Sequence, residues 1–452
     1  MNMNNKNGTA VDRWLWNFIE KHFHELVIAV LLIGSVVLRI KLAPETGLSS
    51  DYELYIKGWP EMYRELGFVG GMRQVIGDYY VPFNIMYAII GLSPWEPWVL
   101  ASLFSCVMDY FLAGVVFFLM RYLFEETSGK ETAGLKAMYT AVLTLYLPLV
   151  FMNSALWKQC DVFYISFALL AVYLEFKDRH TAALVMLGIS FAFKLQAVFF
   201  FPFFAIMWLK KKDFSIFRFL WIPGIYLIAG LPAVFCKRGL RATYGTYFMQ
   251  TLEGTEGSES YGMVANYPNL YNFGLDNYLE TMALPAVLVT LAILLLSVVL
   301  ALRGLRAKPG AGGSVNSGTS AAGNAGASAS GNTTASVSGN TTAEALRLLY
   351  LLAWQIWACN MFLPSMHERY DYGAVLIFSL LVPLMWKAGI NPSAAIIPAA
   401  VLNVGTFITY IRSARPDLVP VSMSALTAVY IAAFFVTTVY LVSLFSIEKN
   451  TE

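Results

Sequence analysis

The sequence predicts an all-α, polytopic membrane protein. Of its 452 residues, 58% are hydrophobic and 13% charged, at a mean hydropathy of +0.58, a balance no soluble core requires. The apolar residues are gathered into runs near the length that crosses a bilayer. Lys and Arg cluster beside several short connections, which orients those runs.

Residues 1–25 are polar and aromatic, with Arg13 and Lys21, and no small-residue cleavage site follows the next apolar run. Leu26–Leu42 therefore reads as an uncleaved first span. A polar segment over about 43–97 follows and is expected to form a large first outer loop carrying amphipathic helices. Within it, Ser50-Asp51-Tyr52-Glu53 has the capping-box pattern. Tyr52, Tyr55, Ile56, Trp59, Tyr63 and Leu66 recur at helical spacing, which predicts a helix lying on the membrane, ended by Gly70-Gly71. Gly77-Asp78-Tyr79-Tyr80-Val81-Pro82 then leads into a short apolar run, 83–92, expected to be re-entrant or interfacial.

Further spans are expected near 98–121, 137–152, 161–176, 181–193, 195–209, 216–236, 284–303, 346–363, 371–387, 393–411 and 421–445. With the first these make about 12 and leave both termini on one side, the cytoplasmic one. Residues 181–209 must hold a hairpin, because Lys177 and Arg179 before them and Lys210-Lys211-Lys212 after them both look cytoplasmic; its turn falls near Phe193-Lys194-Leu195-Gln196. Between Pro309 and Ala343 there is no charged or aromatic residue, and Gly-Asn-Thr-Thr-Ala occurs twice. This predicts a disordered cytoplasmic linker over 307–343, between a module over 1–306 and C-terminal helices over 344–452.

That topology puts the loop bearing Asp51, the turn 153–161, Lys194, the loop 237–283 and the cluster 366–372 on the outer face. Five polar regions converging on one side favour an active cavity there. The net charge of +2 gives no reason to expect a nucleic-acid partner. Cys106, Cys160, Cys236 and Cys359 are scattered without disulfide or metal spacing, and no Asp-x-Asp stands ready for a metal-bound nucleotide diphosphate.

The densest chemistry is Met366-His367-Glu368-Arg369-Tyr370-Asp371-Tyr372, set between two apolar runs. One reading is a solvated hairpin with an Arg–Glu pair. The other is a phosphate or pyrophosphate seat, with Arg369 as bidentate donor and His367 as a second donor. Lys194 has apolar residues on both sides; it either snorkels or meets an external anion. Asp161 either caps the helix that follows it or serves the site. Asp109, midway along its span, reads as a pairing residue.

Asn153-Ser154-Ala155-Leu156-Trp157-Lys158-Gln159-Cys160-Asp161 resembles the Trp-Gly-Gln-x-Asp motif of polyprenyl-phosphate-dependent glycosyltransferases. Phe193-Lys194-Leu195-Gln196, Met366 to Tyr370 and Asn266-Tyr267-Pro268-Asn269-Leu270-Tyr271-Asn272 are similar to the same group, in order along the chain. More narrowly, the set is similar to bacterial mannosyltransferase-like proteins related to GPI mannosyltransferase II, in the GT-C superfamily. Lys158 stands where that family often has Gly.

The resemblance implies a GT-C fold and an enzyme moving a sugar, mannose or another hexose, from a lipid phosphate to a glycan, lipid or protein acceptor on the outer face. It implies a catalytic base in the first outer loop, which maps onto Asp51, with Asp78 as rival. Attack opposite the leaving phosphate would invert the anomer. Arg369, His367 and Lys194 would hold the donor phosphate, so no metal and no cofactor is expected. Trp157 and Tyr370 could stack on a sugar, and Lys158, Gln159, Asp161, Gln196, Asn269 and Glu368 would shape the site. A transporter or flippase of lipid-linked sugars, or a glycan ligase or polymerase, would share many of these features. The topology is checked by impermeant thiol labelling of intact cells: Ser258→Cys should label and Ser320→Cys should not.

Overall fold

The computed structural model describes residues 9–48, 51–248, 262–306, 333–415 and 418–446, and helices build nearly all of that structure. The first are α1 (Ala10–Lys21), α2 (Phe23–Leu42), α3 (Gly58–Arg73), α4 (Val81–Leu92), α5 (Pro97–Ser128) and α6 (Lys130–Thr144). They continue as α7 (Pro148–Phe151), α8 (Asp161–Phe176), α9 (His180–Phe193), α10 (Phe201–Lys211), α11 (Trp221–Phe235) and α12 (Leu240–Tyr244). The last are α13 (Leu279–Arg306), α14 (Thr333–Phe362), α15 (Tyr372–Lys387), α16 (Ser393–Ala414) and α17 (Met423–Ser446).

Among the described residues, 5 helical segments are long and apolar enough to cross a membrane: Pro97–Glu125, Ile216–Phe235, Asp276–Gly304, Ser393–Ala414 and Met423–Ser446. A sixth results if Lys130–Thr144 and Pro148–Leu156, bent by 52° at Leu145–Leu147, form one span. Helices α8, α9 and α15 coincide with expected spans but have only 16, 14 and 16 residues. At about 1.5 Å per residue they fall short of a hydrocarbon core roughly 30 Å thick.

Small residues set the closest packing. Ala133, Ala137 and Ala141 recur every fourth residue on the buried face of α6, the helix that packs along α5. In lipid, where apolar burial between helices gains little, such close backbone approach supplies the attraction. Helices α8 and α15 form the interior, with Val162, Ile165, Leu169, Val172, Leu376, Ile377 and Leu381 all buried.

The segment over 51–92 differs from expectation in detail. Residues Tyr52–Lys57 are π-helical and run into α3, whose break lies at Gly67 (φ 67°, ψ 172°). Gly70 and Gly71 instead stay helical, because Gly71 accommodates the Tyr63 ring against its backbone. Tyr52, Ile56 and Tyr63 are buried in the protein, so the expected apolar face packs on neighbouring helices. Asp51 makes no capping hydrogen bond, and Ser50 of the expected capping box lies outside the described residues. Helix α4 is largely buried.

Residues 181–209 do break at the expected place. Helix α9 ends at Phe193, Lys194 is extended (φ −154°, ψ 137°), and a 3-10 turn over Leu195–Phe200 leads into α10. Of the expected linker, 307–332 lie outside the described residues. From Thr333 onward the chain is already helical, since its uncharged small residues extend the helix begun in the apolar segment behind them.

Asp109 has the partner expected of it. Arg39 of α2 contacts it at 2.7 Å, with both side chains buried. Arg39 also donates to the carbonyls of Ser35 and Leu145 at 3.2 and 3.1 Å, while Ser154 Oγ donates to Asp109. The pair thereby fastens α2 and α5 to both sides of the break after α6. Asp109→Ala should lower stability by about 3–5 kcal/mol because it strands a buried cation. The joint change Arg39→Met with Asp109→Leu should lose less, read from thermal unfolding midpoints in detergent.

Candidate active site

Asp161, at the first turn of α8, is fully buried. One carboxylate oxygen accepts from the Lys194 ammonium. The other accepts from Asn153 Nδ2 at 3.0 Å and lies 3.6 Å from Arg369 Nε. Asp161 is therefore an ion-pair partner and not a capping residue. Lys194 needs no external anion, because the chain supplies one from 33 residues earlier. Its ammonium also lies over the Tyr79 and Tyr370 rings, 5.7 and 5.1 Å from their centroids, where the ring quadrupole favours a cation.

The loop joining α14 to α15 delivers the remaining charges. Arg369 Nη1 donates to Glu368 Oε1 at 2.8 Å. Burial works to lower the Arg369 guanidinium, but Glu368, Tyr370 and Asp161 outweigh it and hold it above its ordinary range. Its Nε–H, buried, makes no hydrogen bond. Burial pushes the Glu368 carboxyl up; Arg369 opposes this and nearby Asp51 adds to it. His367 is held well below its ordinary value by burial together with Arg369 and Lys194, so at neutral pH it is an uncharged donor or acceptor. Its ring meets Tyr370 edge-on at 5.1 Å.

Asp51 joins from the segment that precedes α3. Gln159 Nε2 donates to Asp51 Oδ2 at 2.9 Å, while Tyr79 OH donates to Gln159 Oε1 at 3.5 Å. Asp51 immediately precedes one π-helical segment, and Gln159 follows another, Met152–Leu156, by three residues. Such segments are rare and concentrate at functional sites; here the two flank a single contact. Asp78 is half-buried and lies with Asp51 in electrostatic reach of Tyr87.

Other expected residues serve structure. Lys158 Nζ donates to the carbonyls of Glu45, Leu156 and Ala155 at 2.6, 2.9 and 3.4 Å. Burial lowers its ammonium to about 8. Its φ of 57° lies in the left-handed region that glycine enters without strain. The Trp157 ring is buried and meets the Tyr410 ring at 4.8 Å with the two planes at 80°. Asn269 Oδ1 caps a 3-10 turn by accepting from the Tyr271 amide at 3.2 Å. Gln196 Oε1 is buried and without a partner.

Sequence reasoning passed over Tyr79, Tyr267 and Asp371. Tyr267, from the Asn266–Asn272 stretch, donates to Asp371 Oδ2 at 3.1 Å. Asp371 is fully buried; burial pushes its carboxyl up to about 8, with the Tyr267 hydrogen bond opposing and Glu368 adding. Its place inside the charged knot was the available signal. The loop 262–272 is fixed to the knot by Ser365, whose amide donates to Met263 O at 3.0 Å and whose hydroxyl donates to Gly262 O at 2.7 Å.

Away from this cluster, Asp178, His180 and Asp213 bring possible metal-ligand atoms within 4.8 Å of one another. His180 is already engaged by Glu175 at 2.9 Å and Asp213 at 3.3 Å, and Lys211 pairs with Asp178. A surface cavity of about 420 Å³ lined by Trp208, Leu209, Lys212, Phe214, Ser215 and Ile216 lies at the far end of α10 and contains none of the expected site residues. No family model and no curated protein matches this chain.

The arrangement is a buried, charge-matched cluster: Lys194 and Arg369 against Asp161 and Glu368, with an uncharged His367 beside it and Asp51 at its outer edge. The folded protein keeps the Asp371 proton up to about pH 8, whereas the unfolded chain releases it near pH 4. This carboxyl therefore withdraws stability as pH rises between those values. Asp371→Asn should flatten that part of the decline, measured as thermal midpoints at pH 5 and pH 8.

Proposed function

We propose that the chain is an integral-membrane glycosyltransferase that moves a hexose from a polyprenyl-phosphate donor to an acceptor on the extracytoplasmic face, with inversion. The observation that carries this reading is the meeting of Asp161, Lys194 and Arg369. They come from three stretches that each resemble the same glycosyltransferase group, and they gather beside Asp51. On this reading the chain has a GT-C fold with about twelve spans, the short α8, α9 and α15 among them. It sits in the cell membrane with both termini cytoplasmic.

In the proposed reaction Asp51 takes the proton of an acceptor hydroxyl, whose oxygen attacks the anomeric carbon. The bond between the anomeric carbon and the lipid phosphate oxygen breaks on the opposite face, its electron pair leaving with the phosphate, which departs as a monoester dianion. Gln159 holds the Asp51 carboxylate by one oxygen. Arg369 and Lys194 meet the charge developing on the phosphate, the unbonded Nε–H of Arg369 being a donor in reserve. Because Asp161 and Glu368 already fix these cations, little reorganisation is needed as charge builds, the condition under which electrostatic stabilisation is largest. Neutral His367 serves as a hydrogen-bond partner.

The test is transfer of labelled sugar by purified protein in nanodiscs. Asp51→Asn retains the acceptor for Gln159 but loses the base, so the rate should fall about a hundredfold to ten-thousandfold, with donor binding kept. Asp78→Asn should retain most activity. A nearly unchanged Asp51→Asn beside an inactive Asp78→Asn would move the base to Asp78; retention in both would end the carboxylate mechanism.

A further inference from the structure

Helix α1 has no buried residue. Its start is self-contained: the Thr9 hydroxyl accepts from the Asp12 amide at 3.2 Å, and the Asp12 carboxylate accepts from the Thr9 amide at 2.7 Å, a reciprocal cap. Val11, Trp14, Leu15 and Phe18 stand at i, i+3, i+4 and i+7, so they share one face, and all four are exposed, from 41% to 69%. Trp14 and Phe18 stack on one another at 5.7 Å. Arg13 and Glu20 take the opposite face.

That apolar face does not stand alone. After the bend at His22 (φ −111°, ψ 20°), exposed Leu26, Val30, Ile33, Val37 and Ile40 continue along one side of α2, while Ser35 and Arg39 are buried on the other. The exposed apolar surface of α1 is thus a continuation of the outward side of an apolar helix long enough to enter a bilayer. The bend is fastened by His24 Nδ1, 2.8 Å from Tyr139 OH of α6, which fixes the height at which α1 leaves α2.

We propose that α1 lies in the plane of the membrane surface, its Val11–Trp14–Leu15–Phe18 face seated at the boundary between lipid headgroups and acyl chains. An interfacial helix of this kind buries its apolar face roughly 5–10 Å below the headgroups, and tryptophan favours that zone because its ring has one apolar and one polar end. Asp12 and Glu20 balance Arg13 and Lys21, so the seat depends on apolar contact and not on anionic lipid. This assignment is independent of the reaction proposed above.

The experiment places nitroxide labels by Trp14→Cys, Phe18→Cys, Glu20→Cys and Ile33→Cys, one at a time, in full-length protein carrying Cys106→Ser and Cys236→Ser. Reconstituted in nanodiscs, each label is read for collision with oxygen and with a water-soluble nickel chelate. Labels at 14 and 18 should meet the chelate several-fold less than the label at 20, at a depth between those of 20 and 33, equally in zwitterionic and anionic lipid. Equal chelate access at 14, 18 and 20 would overturn the proposal, as would a depth that appears only with anionic lipid. Spin–spin broadening at 14 and 18 that vanishes on dilution with unlabelled protein would overturn it too, by assigning the face to a second copy.

Discussion

A charge taken into a protein interior must find a partner, and in this chain the buried ion pairs gather where helices end. Lys194 is met by Asp161, which brings the start of α8 to the break between α9 and α10. Arg369 reaches the same carboxylate, which brings in the loop before α15. Arg39 and Asp109 repeat the device where α6 gives way to α7. Every one of these loci is an interruption, where backbone groups also need partners and where side chains can converge from several directions.

The sequence was most legible where periodicity acts alone. Apolar runs marked the helices, and the flanking lysines marked the break at Lys194, because both signals are local. Ion pairing across the fold was not legible: Asp161 beginning a helix looks like a cap, and nothing nearby announces that its carboxylate faces an ammonium from another helix. The same blindness hid Tyr267, one tyrosine among 25, whose role depends on docking a loop to Asp371. At Gly67 and Gly71 the residue type was right for a break at either position, and packing against Tyr63 chose between them. The amphipathic α1 escaped notice because its polar and aromatic residues alternate within only 12 positions.

Electrostatically, the cluster is built to hold charge rather than to present it. Two cations facing two carboxylates form a set of fixed dipoles in a poorly screened interior. On the proposed reaction, such a set responds to charge that appears during the reaction more than to charge already present on a resting anion. The neutral state of His367, imposed by burial and by the adjacent cations, keeps the local excess of positive charge small. The two π-helical segments add a geometric element: each shifts the side-chain register of its helix, and between them they aim Asp51 at Gln159.

Lys158 carries a consequence for what the turn tolerates. Its backbone sits where glycine is most at ease, yet the position is filled by a long side chain whose ammonium is tied to three main-chain carbonyls. The strain of the turn is offset by side-chain bonds that a glycine could not make. A glycine at this position would relieve the backbone but leave three carbonyls short of a donor, so the two effects oppose one another.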